Sequence, residues 1–386
     1  MINKKRLRGF FLDLVQIDSH SREEKDVAQY IKTHLEALGV DVVMDDAGEK
    51  IGGNCGNLLA RLRGPVAGRI ESLLFCAHMD TVVPGKGVKP VEKDGVITSS
   101  GDTILGSDDK SGVAAMLELA HVLKENNIPF GEIELLFTIA EEIGLMGAKH
   151  FDTSVLKSKR AFFLDSENVQ SICTGAPSAY RMNYRIFGQE AHAGMCPEKG
   201  LSAILVAAKA IQAMPLGRID QETTANIGTI EGGTATNIVT KLVTMRGEAR
   251  SHDKTKLETQ VKAMRDALEM AADRTAIEID GKPVRARIEE TRNLEYQSFR
   301  IPETSRTYQL AYLAGAEIGL KMEPEISGGG SDANVFNAQK IESVVLGTGM
   351  QEPHTVKEYI RFEDMVTSAK LILTMVQMAA KPAAKV

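Results

Sequence analysis

The sequence predicts a two-part α/β protein, in which a mixed sheet flanked by helices is interrupted by a ferredoxin-like α+β domain. Strongly apolar strands are separated by helices in the first part of the chain. The order changes to β-α-β-β-α-β after Gly175, and the α/β pattern returns from about residue 303. The predicted main domain therefore comprises residues 1–175 and 293–386, and the predicted inserted domain comprises residues 176–292.

The elements of the first part follow from apolar periodicity and from turn residues. Ser21-Arg22-Glu23-Glu24 has the form of a capping box and predicts the start of a helix that runs towards Leu38 and stops at Gly39. Asp94-Gly95 predicts a hairpin turn. The other predicted elements are strands at about 40–45, 57–63, 72–77, 133–139 and 161–164 and a helix at 111–123.

The rest of the chain divides in the same way. The inserted part has predicted strands at about 179–188, 225–231, 238–250 and 284–291, and predicted helices at about 201–213 and 254–272. The last part has a predicted helix from about 303 to 318, a strand at 343–346 and a helix at about 362–379. The tail from 381 to 385 is expected to fray.

Composition excludes several classes of function. A chain of 386 residues with 43% hydrophobic and 25% charged residues is typical of a folded soluble protein with two domains. The net charge of -6 argues against nucleic acid or an anionic membrane as a partner, and no apolar run approaches a membrane span. The four cysteines form no CxxC pattern, which predicts reduced thiols and a cytoplasmic location.

Acidic residues and histidines cluster at the predicted ends of strands and at the start of one helix. They are His78 and Asp80, Asp108 and Asp109, Glu141 and Glu142, Asp165, and His354. Each alone has an ordinary structural interpretation, such as a helix cap, a solvated loop or a surface histidine. Together they favour a ligand site, because ligands of open α/β sheets bind outside the carboxyl ends of the strands.

Two histidines and several carboxylates suit a divalent metal, with zinc first and cobalt or manganese as alternatives. The carboxylates are too many for one tetrahedral zinc. A pair of metal ions bridged by one carboxylate uses them better, so the sequence favours a dinuclear site.

Five motifs in order resemble the dinuclear zinc peptidase family that contains peptidase T, carboxypeptidase G and the aminoacylases. They are His-Met-Asp at 78–80, Gly-Ser-Asp-Asp-Lys-Ser-Gly at 106–112, Ala-Glu-Glu-Ile-Gly at 140–144, Leu-Asp-Ser-Glu at 164–167 and Pro-His-Thr at 353–355. The resemblance covers nearly the whole chain. The Asp-Asp-Lys form and the Gly-Gly-Gly-Ser-Asp stretch at 328–332 are most similar to peptidase T.

The resemblance implies two divalent ions per chain and a set of ligands. The implied ligands are His78, Asp108, Glu142, Asp165 and His354. Asp108 would bridge the two ions, with His78 and Asp165 completing one site and Glu142 and His354 the other. Asp109 would not be a ligand.

Two further residues of the main domain receive roles from the same resemblance. Asp80 would orient His78, as a carboxylate behind a metal-bound histidine does. Glu141 would be the general base that accepts a proton from the metal-activated water and passes it to the leaving amine.

The inserted domain resembles the lid and dimerisation domain of the family. His192, within Glu190-Ala191-His192-Ala193-Gly194, would reach the active site of the partner subunit and stabilise the oxyanion. Asn237 and Arg250 would contact substrate carboxylates from the lid. The resemblance therefore implies a homodimer. One departure is Gly328, which stands where peptidase T has a substrate-contacting arginine, so strict tripeptide specificity is not implied.

The expected function is metal-dependent hydrolysis of a peptide or amide bond in small peptides, by a tripeptide aminopeptidase similar to peptidase T. Two alternatives stay open at this point. An N-acyl amino acid amidohydrolase or a carboxypeptidase G-like enzyme would use the same machinery on another substrate. A metal-binding protein without catalysis is disfavoured because no ligand and no base is missing.

Overall fold

The computed structural model describes residues 1–381 and divides into two compact units. The first unit contains Met1–Gly175, Arg300–Ser327 and the chain from Ser331 onward, and the second contains Ala176–Phe299 and Gly328–Gly330. The domain boundary predicted after residue 292 falls inside a strand of the second unit, Arg287–Tyr296. The expected fraying of the tail beyond Lys381 lies outside the described residues.

The helices and strands have the following bounds in chain order. The helices are α1 Lys4–Gln16, α2 Lys25–Ala37, α3 Ala47–Ile51, α4 Ser107–Glu125, α5 Met146–His150, α6 Ala203–Ala213, α7 Lys254–Arg274, α8 Arg306–Glu317, α9 Asp332–Ala338 and α10 Phe362–Ala379. The strands before Ala176 are β1 Asp41–Met44, β2 Leu58–Arg63, β3 Leu73–His78, β4 Pro90–Lys93, β5 Val96–Ser99, β6 Glu132–Thr138, β7 Arg160–Ser166 and β8 Ser171–Ala176. The later strands are β9 Ser178–Phe187, β10 Gly217–Arg218, β11 Thr223–Gly232, β12 Leu242–Ser251, β13 Ile277–Ile279, β14 Lys282–Val284, β15 Arg287–Tyr296, β16 Phe299–Arg300, β17 Glu323–Ile326, β18 Glu342–Gly347, β19 Met350–Gln351 and β20 Tyr359–Arg361.

The first unit is built on a mixed sheet with the strand order β1-β2-β6-β3-β7-β18-β8-β16, and β17 also pairs with β8. The four central strands, β6, β3, β7 and β18, are parallel to one another. Strands β3 and β6 are buried along their whole length, as expected for parallel strands covered on both faces. Because the four strands are parallel, their carboxyl ends meet at the same edge of the sheet.

The second unit has the predicted β-α-β-β-α-β order in strands β9, β11, β12 and β15 and helices α6 and α7. Its sheet is antiparallel, with the order β10-β11-β12-β9-β15, which confirms the ferredoxin-like prediction. Its core lies between the sheet and the two helices, where Tyr184 and Met245 pack with Val206 and Leu268. The two units therefore bury their apolar residues in separate ways, around a mixed sheet and an antiparallel one.

Two predictions for the N-terminal region need correction. Helix α1 was not predicted, although its buried residues Leu7, Phe10, Phe11, Leu14 and Val15 have helical spacing. The predicted capping box at 21–24 does not form, because α2 begins at Lys25 and its N-cap residue, Glu24, makes no side-chain capping bond. The Ser21 and Glu24 side chains have tertiary partners instead.

Candidate metal centre

Each of the four central parallel strands leads into a residue of the predicted site. His78 is the last residue of β3, and Asp165 lies near the end of β7. Glu141 and Glu142 lie in the turn after β6, and His354 lies in the loop after β18 and β19. Sequence reasoning therefore placed these side chains at the correct edge of the sheet.

Asp108 lies between the two histidines. One carboxylate oxygen, Oδ1, is 3.0 Å from His78 Nε2, and the other, Oδ2, is 3.2 Å from His354 Nε2. His354 Nε2 is also 3.0 Å from Glu142 Oε1. A carboxylate that presents one oxygen to each of two imidazoles has the arrangement expected of a bridging ligand.

Asp109 has a different role from its neighbour. Its Oδ1 accepts a hydrogen bond from Gly112 N at 3.1 Å, and its Oδ2 accepts one from His78 N at 3.3 Å. The side chain thus caps the regular part of α4 and supports the end of β3. The capping interpretation suits Asp109, whereas Asp108 faces the two histidines.

The ring nitrogens of His78 show how the site is prepared for a cation. Nδ1 lies 3.0 Å from the backbone oxygen of Asp80, which can only accept, so Nδ1 is assigned the proton. Nε2 lies 3.0 Å from Asp108 Oδ1 and 3.9 Å from Asp165 Oδ1, and in the neutral ring that a metal ion requires its lone pair would face both. A cation among these acceptors would satisfy all of them.

Three groups of side chains have ligand atoms within 4.8 Å of one another, close enough to hold a metal ion. They are His78 with Asp108 and Asp165, Asp108 with Glu142 and His354, and His78 with Glu141 and Glu142. The first two share Asp108 and match the two sites implied by the motifs. Imidazole nitrogens and carboxylate oxygens are donors that zinc accepts, so the residues present fit a pair of divalent ions. The third group means that proximity alone does not separate Glu141 as a base from Glu141 as a ligand.

The charges of the cluster are strongly coupled. Burial raises the pKa of the Glu141 and Asp165 carboxyls well above their usual range. Hydrogen bonds to Asp108 and Glu142 raise the pKa of His354 to about 10. Buried carboxylates are costly to ionise without a nearby positive charge, and a divalent cation would supply that charge.

The turn that contains Glu141 and Glu142 is held through its backbone. The Asp80 carboxylate accepts hydrogen bonds from Glu141 N at 3.0 Å and from Glu142 N at 3.2 Å. Its Oδ1 also lies 3.4 Å from His78 Nδ1. Asp80 thus contacts His78, as the motif implied, and it also links the end of β3 to the turn after β6.

Glu358 is a supporting residue that sequence reasoning missed. It is buried and accepts four hydrogen bonds, from Leu105 N and Gly106 N at 2.8 Å, from Ser107 Oγ at 2.6 Å and from Asp108 N at 3.1 Å. It therefore joins the start of α4 and the two residues before it to the loop that contains His354. Its position four residues after His354 was the only signal, and a spacing alone does not reveal three backbone partners and one hydroxyl.

The second unit contains the three predicted lid residues. His192 is exposed, and its Nδ1 accepts hydrogen bonds from Gly194 N at 3.2 Å and Met195 N at 3.1 Å. Nδ1 is therefore the unprotonated nitrogen of the neutral ring, and Nε2–H is left as a donor. The backbone oxygen of Asn237 accepts from Ala193 N at 2.9 Å, so the loops of His192 and Asn237 are joined.

Arg250 lies elsewhere in the same sheet. It pairs with Ala179 at the start of β9, whereas His192 follows the other end of β9, where Phe187 pairs with Leu242. Its guanidinium makes two bonds of 3.0 Å to the Glu248 carboxylate. A substrate carboxylate would therefore have to compete with Glu248 for Arg250.

Comparison with known proteins identifies the family. A model described as peptidase family M20/M25/M40 matches residues 74–378, most of the chain. The chain belongs to peptidase family M20/M25/M40. This confirms the resemblance that the five motifs indicated.

Several relatives are similar to this member of the M20/M25/M40 family over their whole length. The uncharacterized protein YqjE of Bacillus subtilis (strain 168) is 44% identical, over 99% of this chain and 100% of YqjE. The crystal structure of aminopeptidase PepT from Bacillus cereus ATCC 10987 is 43% identical with a TM-score of 0.87, over 98% of this chain and 100% of PepT. A tripeptidase structure from Staphylococcus aureus subsp. aureus mu50 is 39% identical with a TM-score of 0.92, over 99% of this chain and 100% of that chain.

Proposed function

We propose that this M20/M25/M40 family member is a metal-dependent aminopeptidase that acts on small peptides, with tripeptides as the first candidates. The observation that supports this most is Asp108, whose two oxygens face His78 and His354 at 3.0 and 3.2 Å. The names of two similar solved structures, an aminopeptidase PepT and a tripeptidase, favour peptides over N-acyl amino acids as substrates.

The proposed site holds two divalent ions, with zinc first and cobalt or manganese as alternatives. His78, Asp108 and Asp165 would hold one ion, and Asp108, Glu142 and His354 would hold the other. When bound, such a pair supplies Lewis-acid activation of a water molecule and of the scissile carbonyl. His78 is oriented for this purpose by the Asp80 carbonyl on its Nδ1.

Glu141 is the proposed general base. Its backbone N–H is held by Asp80, and its side chain is buried beside His78 and Glu142, where burial raises the pKa of its carboxyl. A carboxylate whose proton affinity is raised is better suited to accept a proton near neutral pH and to return it to the leaving amine.

The alanine variant of this residue separates catalysis from metal binding. Glu141→Ala removes the proposed proton acceptor and none of the proposed ligands, so it should keep two ions and lose about two to four powers of ten in kcat. Elemental analysis and steady-state kinetics on the same preparation measure both quantities. Near-normal turnover in the variant would assign the proton transfer to another group.

A homodimer through the second unit is part of the proposal. Among residues 1–381, no strand pairs with the outer edge of β11 beyond Ala225, since β10 reaches only Thr224 and Ala225. Ile230 on β11 and Ile204 and Leu205 on α6 are 51%, 47% and 50% exposed. An open strand edge and exposed apolar side chains are features that a second copy would cover.

The second unit also supports a role for His192 in the partner's site. Arg250 and the end of β12 at Leu242 are eight residues apart, roughly 27 Å at the rise of a β-strand. An extended tripeptide spans only about 10 Å. A tripeptide that contacts Arg250 of one chain could therefore contact Asn237 or His192 only from a second chain.

The location in the cytoplasm stays a proposal as well. All four cysteines lie in the described part of the chain, and each is a free thiol, which fits a reducing compartment. No helix within residues 1–381 combines the length and hydropathy that a membrane span needs.

A substrate panel tests the proposed activity. The protein is stripped with a chelator, reloaded with zinc, cobalt or manganese, and assayed on tripeptides, N-acetylated tripeptides, N-acetyl amino acids and γ-glutamyl compounds. We expect metal-dependent release of the N-terminal residue from tripeptides with a free amine and none from the acetylated ones. Hydrolysis of N-acetyl amino acids or γ-glutamyl compounds alone would replace the aminopeptidase proposal with an amidohydrolase or a carboxypeptidase G-like enzyme.

A further inference from the structure

Ser21 and Glu24, the two residues of the predicted capping box, bind partners outside helix α2. Ser21 Oγ donates to Asp80 Oδ2 at 2.6 Å. Glu24 Oε1 accepts hydrogen bonds from Arg22 N at 2.8 Å and from Ala140 N at 3.0 Å. Both partners outside the segment, Asp80 and Ala140, are directly linked to the turn that contains Glu141.

Two buried carboxylates hold three successive amides of this turn. Glu24 accepts from the N–H of Ala140, and Asp80 accepts from the N–H groups of Glu141 and Glu142. Ala140 has a φ of 50°, a left-handed conformation that a residue with a Cβ rarely adopts without support. The hydrogen bond that the Ala140 N–H donates to Glu24 Oε1 supplies that support one residue before the proposed base.

The burial of Glu24 is what makes this contact specific. Glu24 is 0% exposed, and its second oxygen, Oε2, has no hydrogen-bond partner in the described structure. An acidic side chain is seldom fully buried unless its partners require it. Within residues 1–381, the one hydrogen-bond partner of its side chain outside its own segment is Ala140 N in the turn that contains Glu141, so a role confined to helix α2 does not account for it.

We propose that Glu24 and Ser21 are positioning residues for Glu141. Glu24 fixes the left-handed turn at Ala140, and Ser21 fixes the Asp80 carboxylate that holds the next two amides. Together they aim the Glu141 side chain without touching the substrate or the metals. This inference rests on the proposed function, because it takes Glu141 as the general base.

The chain offers a matched control on β6, the strand that leads into this turn. Glu134 of β6 is also 0% exposed, and its carboxylate also accepts two successive backbone amides, Lys157 N and Ser158 N, as well as Arg61 Nε. These partners lie away from the turn at 140–142. Glu134→Ala therefore removes a buried carboxylate of the same kind without affecting the hold on the catalytic turn.

The first test compares Glu24→Ala with Glu134→Ala in three measurements. Hydrogen exchange of the metal-free protein should speed up at Ala140 in the first variant and at Lys157 and Ser158 in the second. With metal restored, Glu24→Ala should keep two ions per chain and a KM within about twofold, while kcat falls about ten- to a hundredfold. Glu134→Ala should keep kcat within about twofold. Equal losses of kcat in the two variants would reduce Glu24 to a structural residue.

A conservative variant and a double variant complete the test. Glu24→Gln keeps an acceptor oxygen for the Ala140 amide and should restore most of kcat. In a Glu141→Ala background, Glu24→Ala should cost nothing further, because no base is left to aim. A full additional loss in the double variant, or no rescue by glutamine, would overturn the proposal.

The outcomes distinguish this inference from the proposed function. Slow turnover in Glu141→Ala together with normal kcat in Glu24→Ala overturns the positioning role alone. Normal turnover in Glu141→Ala overturns the assignment of the base and the positioning role with it.

If Glu24→Ala does not fold, Ser21→Ala gives the same comparison. It should speed exchange at Glu141 and Glu142 and lower kcat several-fold, and unchanged values for both would overturn the proposal.

Discussion

Glu24 gives the stability of the protein a pH dependence that can be assigned to one residue. Burial, and next the charge of Asp80, raise its pKa to about 7, whereas a glutamate in the unfolded chain has a pKa near 4.5. Burial, and next the charge of Glu24, raise the pKa of the Cys55 thiol in turn. Between these two pKa values the folded state holds a proton that the unfolded state has lost.

The sign of the effect follows from this difference. As pH rises from about 4.5 to about 7, the free energy of unfolding should fall relative to that of Glu24→Gln, which does not titrate, by at most about 3 kcal/mol. The loss should be complete above the folded pKa and constant there. Urea unfolding of the two metal-free proteins between pH 4.5 and 8 measures it. A constant difference between them over this range would show that Glu24 keeps an ordinary pKa.

Residue-level reasoning from sequence succeeded for groups whose position along the chain determines their position in the sheet. His78 and Asp165 lie at strand ends, and parallel strands bring their carboxyl ends to one edge. It failed for Ser21 and Glu24, whose pattern matches a local capping box but whose partners lie 59 and 116 residues away. Local capping bonds compete with tertiary contacts, and here Glu24 accepts from the Ala140 amide instead of capping α2.

At the scale of elements, the site depends on how the loop of His354 is tied to the start of α4. Glu358 makes this link with four hydrogen bonds over about 250 residues of sequence. No periodicity or motif predicts such a contact, because its partners are mostly backbone amides. The regular elements were easier, since apolar periodicity predicted β3, β6 and α7, although α1 was overlooked despite the same signal.

Glu358→Ala should therefore weaken the metal centre and the fold together. The change leaves buried donors at Leu105, Gly106 and Asp108 without an acceptor, at a cost on the order of 1–3 kcal/mol for each group that cannot relax. We expect a lower free energy of unfolding and weaker zinc binding, measured by urea titration and by competition with a chelator. Glu358→Gln keeps one acceptor oxygen and should lie between the two. An alanine variant with unchanged zinc affinity would show that the loop holds Asp108 without Glu358.

At the scale of the whole molecule, the proposed exchange of His192 between two chains predicts complementation. His192→Ala should keep both metals and lose an oxyanion donor, on the order of 3 kcal/mol in transition-state stabilisation. Mixed with Glu141→Ala, it should regain part of the activity, because one site of each mixed dimer then has both groups. Kinetics of the mixture measure this, and labelled chains establish that subunits exchange. Exchange without recovered activity, or a fully active monomer, would place His192 outside the partner's site.

The proposed chemistry depends on a pair of metal ions bridged by Asp108. The most direct measurement is the metal content per chain, by elemental analysis after saturation with zinc and dialysis, for the wild type, Asp108→Ala and His354→Ala. We expect two ions in the wild type, about one in His354→Ala, and less than one in Asp108→Ala, because the aspartate serves both sites. A saturated wild type with one ion, or an Asp108→Ala protein that still binds two, would contradict it.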